Sequence, residues 1–163
     1  MKKLVVLFLL ISSTLFSQEK LDKLLKNFNQ ENIPYISVEE LAMPKTDAII
    51  LDARELKEFE VSHIKGAIFV GYDDFNIDKT VAQLTNKETK IVVYCSLGIR
   101  SENIANKLKD KGYENIFNLY GGIFEWKNSG FEVVDINEKP TEKVHAFNKN
   151  WGKWLTKGEK VYE

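Results

Sequence analysis

"KIVVYCSLGIRSENIANKLKDK", residues 90–111, changes character twice. Lys90–Cys95 is a nearly unbroken apolar run, the pattern of a strand buried on both faces. Ser96–Ile99 contains Gly98 and reads as a turn. From Ser101 to Lys111, Ile104, Ala105 and Leu108 form an apolar stripe at helical spacing on a polar background. A buried strand, a short glycine-bearing turn and a helix make one half of a parallel-strand unit, because parallel neighbours need a crossover between them.

The flanking sequence repeats this alternation. "DAIILDARELKEF" (47–59) carries an apolar run, Ala48–Leu51, that ends on Asp52 and leads into a helical stretch over Glu55–Glu60. "GAIFV" (66–70) and "NIFNLY" (115–120) supply two more strands, with helical stretches over Asp78–Leu84 and Gly122–Lys127. "YISVEEL" (35–41) predicts a short strand and then a helix capped by Ser37, with Glu40 three residues on. Strands alternating with helices imply an α/β fold with a mostly parallel sheet and helices on both faces. In such sheets ligands bind beyond the carboxyl ends of the strands, where both Asp52 and Cys95 fall.

The ends of the chain read differently. Lys2 and Lys3, an apolar stretch from Leu4 and a small Ser17 predict a secretory signal over residues 1–17. The apolar run is short against the ~20 residues of a spanning helix, so no stable membrane anchor is expected once it is removed. The expected address is therefore exported, most simply periplasmic. Residues 18–33 form an amphipathic helical segment with Leu21, Leu24, Leu25 and Phe28 on one face. Residues 34–131 hold the α/β domain. Residues 132–163 read as a polar linker and a helical tail, on which Val144, Phe147, Trp151 and Leu155 share a face. That face either packs back on the domain or docks a protein partner. The formal charge of −1, with no basic block, argues against nucleic acid as a partner.

Cys95 is the single cysteine of the chain. A lone thiol in an exported protein cannot form an internal disulfide, which favours a reactive role. Its setting favours one too. A helix N-terminus stabilises thiolate over thiol, the backbone N–H groups of a tight loop can hold an anion, and Gly98 lets that backbone curl. Arg100 adds a permanent cation. Cysteine-dependent phosphatases place five residues between Cys and Arg. Here Ser96, Leu97, Gly98 and Ile99 are four, a cradle one residue short for phosphate and better suited to a single sulfur atom. Asp52 and Arg54 are expected to pair and brace loops, since a free carboxylate beside the thiol would oppose thiolate formation. His63 is expected in a structural turn, because a thiolate held by the loop needs no base. One cysteine and two distant histidines, His63 and His145, lack metal-ligand spacing, so no metal is expected.

These segments together resemble the rhodanese homology domain. The resemblance rests on Tyr94, Cys95, Gly98, Arg100 and Ser101 in the loop, and on Leu51, Asp52 and Arg54 after the second strand. It extends to His63, Ile64, Gly66 and Ala67 in the following turn, and to Gly121, Gly122, Ile123 and Trp126 near the end. It covers roughly residues 34–131. Ser62 and Lys65 depart from the glycine and proline usual around that histidine, which implies an altered local turn. The family implies a five-stranded, mostly parallel sheet, no metal or organic cofactor, and sulfurtransferase activity through a Cys95 persulfide. Ser96, Leu97, Gly98, Ile99, Arg100 and Ser101 would then contact a small anionic donor such as thiosulfate, and cyanide or a thiol would be the thiophilic acceptor. Asp52, Arg54 and His63 would give structural support. A non-enzymatic sulfur carrier, sensor or docking module is the second reading.

Overall fold

The computed structural model describes residues 19–84 and 86–162, so the expected signal segment lies outside the described residues. Residues 19–28 form helix α1, carrying the leucine and phenylalanine spacing read from the sequence. A separate compact unit spans Asn32–Glu163.

That unit is built on five strands: β1 (Tyr35–Ile36), β2 (Ile49–Asp52), β3 (Ile68–Phe69), β4 (Ile91–Tyr94) and β5 (Ile116–Leu119). Their order is β1-β5-β4-β2-β3, and every pair is parallel. Helices α2 (Val38–Ala42), α3 (Leu56–Val61), α4 (Ile77–Val81), α5 (Arg100–Asp110) and α6 (Gly122–Asn128) connect or flank them. The expected α/β architecture is thus present. Ser37 caps α2 as anticipated, its side chain accepting from the Glu40 N–H. Both faces of β4 are buried, which explains its continuous apolar run. Ile91 and Val93 join Leu51, Ile104, Ala105, Leu108 and Ile116 in one core layer, while Val92 and Tyr94 are buried on the opposite face.

The order of strands fixes where a site can form. From β2 the chain goes outward through α3 to β3, and from β4 it goes the other way through α5 to β5. Between β2 and β4 the connections diverge, and their ends lie in register, with Asp52 opposite Tyr94. A crevice at such a switch point is where α/β sheets bind ligands. The residue after Tyr94 is Cys95.

Beyond α6 the chain departs from the sequence expectation. Where a polar linker was expected, Val133–Val134 (β6) and Pro140–Thr141 (β7) form an antiparallel hairpin. The Asp135 carboxylate accepts from the Asn137 and Lys139 N–H groups and closes its turn. The expected helix carrying Val144, Phe147, Trp151 and Leu155 on one face does not form. Instead Lys143–His145 (β8) pairs in parallel with Glu159–Val161 (β9), and only Lys149–Gly152 (α7) is helical. The physical reason is local. The Asn148 side chain accepts from the Asn150 and Trp151 N–H groups, so a helix starts there and cannot include Val144 or Phe147. Gly152 then shortens it. The spacing of the four apolar residues matched a helix by coincidence. In the fold Val144, Ala146 and Leu155 are fully buried, and Phe147 remains partly exposed.

Candidate active site

The loop after β4 is shaped by its neighbours. Gly98 has φ +106, and a Cβ there would press on the Leu119 carbonyl. Gly122, at φ +55, matters more. A Cβ on it would lie 2.2 Å from the Cys95 carbonyl oxygen, so only glycine lets α6 approach the loop this closely. The approach is used: Ile123 N–H donates to the Cys95 carbonyl at 2.9 Å, and Phe124 N–H donates to that of Ser96 at 3.2 Å. With those carbonyls drawn towards α6, backbone N–H groups on the other side of the loop can turn to the sulfur. From β5, Asn118 braces the loop again. Its Nδ2 donates to the Gly98 carbonyl at 2.7 Å, and its Oδ1 accepts from the Ser101 hydroxyl at 2.7 Å.

Cys95 is buried, and its Sγ accepts from Gly98 N–H at 3.1 Å. The Ser101 hydroxyl lies 3.5 Å from the sulfur, its one proton having both Asn118 and the sulfur within reach. Burial pushes the Cys95 thiol up. The Arg100 charge, with the hydrogen bonds from Ser101 and Gly98, outweighs burial and holds it below the ordinary thiol value. The arrangement therefore favours the thiolate over what burial alone would allow, at the mouth of the β2/β4 crevice.

Arg100 is not a free cation. Its Nη1 and Nη2 form a two-point pair with Glu58 Oε2 and Oε1 at 2.6 and 2.8 Å, and Nη2 also donates to Ser96 Oγ at 3.0 Å. Ser96 Oγ donates in turn to Glu58 Oε1. Glu58 is fully buried in the first turn of α3, where its side chain also accepts from the Glu55 N–H in a capping box. Burial pushes the Glu58 carboxyl up, but Arg100 and then Arg54 pull it down further, to about 2.

Asp52 and Arg54 form a second network one strand away, with both side chains fully buried. Arg54 Nε and Nη2 bond Asp52, Nη2 reaches the Ser62 carbonyl at 2.6 Å, and the Tyr94 hydroxyl donates to Asp52. The guanidinium also lies 5.5 Å from the centre of the Tyr94 ring. His63 turns to another task. Its Nδ1 meets the Phe59 carbonyl at 3.2 Å, its Nε2 meets Glu138 at 3.1 Å, and its ring stacks on Phe59. An antiparallel bridge between His63 and Val134 completes a clamp between the turn and the β6–β7 hairpin.

A cavity of about 160 Å³ opens over the sulfur, lined by Cys95, Ser96, Leu97, Ile99, Arg100, Phe147 and Trp151. Five of these come from the loop and helix start read from the sequence. Phe147 and Trp151 come from the misread tail. Four contributors escaped the sequence reading: Glu58, Asn118, Phe147 and Trp151. Glu58 carried a signal in its capping-box position on α3, and Asn118 in being the one polar residue within the β5 run. The two aromatics carried none, since only the β8–β9 pairing brings them to the loop. Among the described residues no cluster of acidic, histidine or cysteine side chains can hold a metal.

A family model described as the rhodanese-like domain matches residues 37–129. Curated relatives include the tRNA uridine(34) hydroxylase of Bdellovibrio bacteriovorus, 34% identical over 115 residues, which are 61% of this chain and 33% of that protein. The protein of that name from Sodalis glossinidius is 32% identical over 135 residues, 79% of this chain and 38% of that protein. The chain thus spans about a third of the length of the curated relatives it matches. The solution structure of a rhodanese-like domain from an Anabaena species aligns with a TM-score of 0.57 at 26% identity, over 63% of this chain and 80% of that one. A thiosulfate sulfurtransferase crystal structure from Pseudomonas aeruginosa aligns with a TM-score of 0.59 over 85% of this chain and 26% of that one. At 22% identity, that likeness concerns the fold alone.

Proposed function

Because this chain belongs to the rhodanese-like domain family, we propose that it is a sulfurtransferase that carries sulfane sulfur on Cys95. One observation carries this reading: a buried sulfur that accepts from Gly98 N–H beside Arg100, with its thiol held below the ordinary value, opening into a cavity. The thiolate attacks the outer sulfur of a donor such as thiosulfate. The new S–S bond forms as the bond to the sulfite sulfur breaks, and the electron pair leaves with sulfite. Cys95 is left as a persulfide anion, stabilised by Arg100 and the N–H groups of Gly98 and Ser101. A thiophilic acceptor, cyanide or a thiol, then removes the outer sulfur and restores the thiolate. No step calls for a general base, a metal or an organic cofactor.

Hydroxylation of tRNA, which the names of the curated relatives describe, is not carried over. The matched third of those proteins has no basic tract here to hold an RNA backbone, and the chain is nearly neutral. The lysine pair and apolar stretch of residues 1–17 support work outside the cytoplasm. Among the described residues, no helix is long and apolar enough to cross a membrane.

The test is intact-mass measurement of the purified protein after exposure to sulfur donors. A gain of one sulfur atom, absent in Cys95→Ser and discharged by cyanide as thiocyanate, is expected. An unmodified cysteine with every donor tried would defeat the proposal.

A further inference from the structure

The cavity over Cys95 does not look like a receptor for a small dianion. Besides Cys95, Ser96 and Arg100 at its floor, its walls are Leu97, Ile99, Phe147 and Trp151. Its single cation is already engaged: both Arg100 amino groups face Glu58, and the guanidinium lies 5.2 Å from the centre of the Phe147 ring. With Cys95 as thiolate, the charges of Cys95, Arg100 and Glu58 sum to one negative. Thiosulfate would have to shed its water to enter this space, against that net charge and beside apolar walls.

Phe147 is placed there by the fold rather than by chance of a loose end. It holds φ +64, a left-handed conformation that a bulky residue adopts only when its surroundings enforce it. Those surroundings are visible. Phe147 N–H donates to His145 Nδ1 at 3.2 Å, Ala146 N–H donates to the Val161 carbonyl at 2.7 Å, and Asn148 begins α7 immediately afterwards. The Phe147 N–H aimed at His145 Nδ1 makes that nitrogen the acceptor, and burial first, with the cations Lys57, Arg54 and Arg100, keeps the His145 pKa below its usual value despite Glu58. The cavity, at about 160 Å³, also has the right size. An engineered apolar cavity of about 150 Å³ takes up benzene; here the cavity is open on the side of Phe147, which is exposed.

We propose that the aromatic strap of Phe147 and Trp151 makes this site select a singly charged organic sulfur donor with an apolar body over inorganic thiosulfate. The inference rests on the sulfurtransferase reading. With a thiosulfonate anion, R–SO2–S⁻, the Cys95 thiolate attacks the outer sulfur. The bond from that sulfur to the sulfonyl sulfur breaks, its electron pair leaves with the sulfinate R–SO2⁻, and Cys95 becomes the persulfide anion. The group R lies between the strap and Leu97 and Ile99.

The probes are benzenethiosulfonate, methanethiosulfonate and thiosulfate, each reacted in single turnover with the full chain. Each rate constant for persulfide formation is divided by that of the same donor with free cysteine, which removes intrinsic reactivity. The corrected benzene-to-methane ratio is expected at about tenfold or more, the scale of burying one ring. Thiosulfate is expected to be the slowest of the three after correction. In Phe147→Ala, and separately in Trp151→Ala, the benzene-to-methane ratio falls several-fold, and Phe147→Leu retains part of it. A corrected rate highest for thiosulfate overturns the inference while leaving the sulfurtransferase reading intact. A ratio unmoved by either alanine variant overturns it as well. Persulfide from none of the three donors overturns both.

Discussion

Two buried ionic networks stand side by side at the ends of β2 and β4, and they are built from the same materials for opposite ends. In one, Arg54 faces Asp52 under the Tyr94 hydroxyl, and all three side chains are fully buried. In the other, Arg100 faces Glu58 beside Cys95, and the arginine side chain keeps 17% of its surface exposed. The first is sealed from solvent. A buried ion pair of that kind contributes little net stability, yet it is costly to break. The second is left open on the side of the sulfur, so its cation still acts on the Cys95 thiol. Geometry at the strand ends separates a sealed brace from a network that faces a thiol and a cavity; the residue types alone do not.

The largest effect expected is on the open network. Cys95→Ser removes the nucleophile, and sulfur transfer in a thiosulfate or thiosulfonate assay should fall to background with the thermal transition intact. Residual turnover with a folded variant would mean that another atom carries the sulfur. The closed network should fail in the other currency. Arg54→Met strands the Asp52 charge in the interior, and denaturant unfolding should report a loss of about 3–5 kcal/mol. Pairing it with Asp52→Asn should recover part of that loss, because the stranded charge is gone. The pH at which Cys95 becomes half-alkylated by iodoacetamide should not move in the double variant. A shift there would show that the brace also tunes the thiol.

How much of this was visible in the sequence follows the same division. The alternation of apolar runs and helical stretches specified the sheet, since each run is short, buried and followed by a turn. The strand-end position of Cys95 and the spacing to Arg100 specified the loop, because both are local and period-driven. Glu58 was not legible as a partner of Arg100, 42 residues away, since a pair across two loops leaves no periodic trace. The tail was misread because Val144, Phe147, Trp151 and Leu155 fit a helical period, whereas the Asn148 cap and the β8–β9 pairing settle the conformation by contacts that spacing cannot express. Tertiary pairing overrode a local pattern, and the cavity wall was lost with it.

Arg100→Gln should reverse the tuning of Cys95. Without its nearest cation the thiol loses the interaction that offsets burial, so the half-alkylation pH should rise toward or beyond the ordinary thiol range. Sulfur transfer at neutral pH should drop about 100–1,000-fold, the range for losing one charge-stabilising donor in an active site. An unchanged alkylation profile would remove Arg100 from the account of thiolate stability.

Glu58→Gln supplies the smaller effect and the sharper discrimination, because its sign is opposite. Glutamine keeps the shape and one acceptor but withdraws the negative charge that tempers Arg100. The cation then acts more fully on the sulfur, and the half-alkylation pH should fall below that of the wild-type protein, by less than Arg100→Gln raises it. The stability profile provides an independent sign. The Glu58 carboxyl is depressed from its usual 4.5 to about 2. Its contribution is therefore present above the ordinary carboxylate range and is lost as the pH falls through that range to about 2. Wild-type protein should lose stability across this acid window, and Glu58→Gln should show a shallower loss there while being less stable at neutral pH. If both variants shifted the alkylation profile in the same direction, Glu58 would be only a clamp for the Arg100 side chain, and the open network would differ from the closed one in exposure alone.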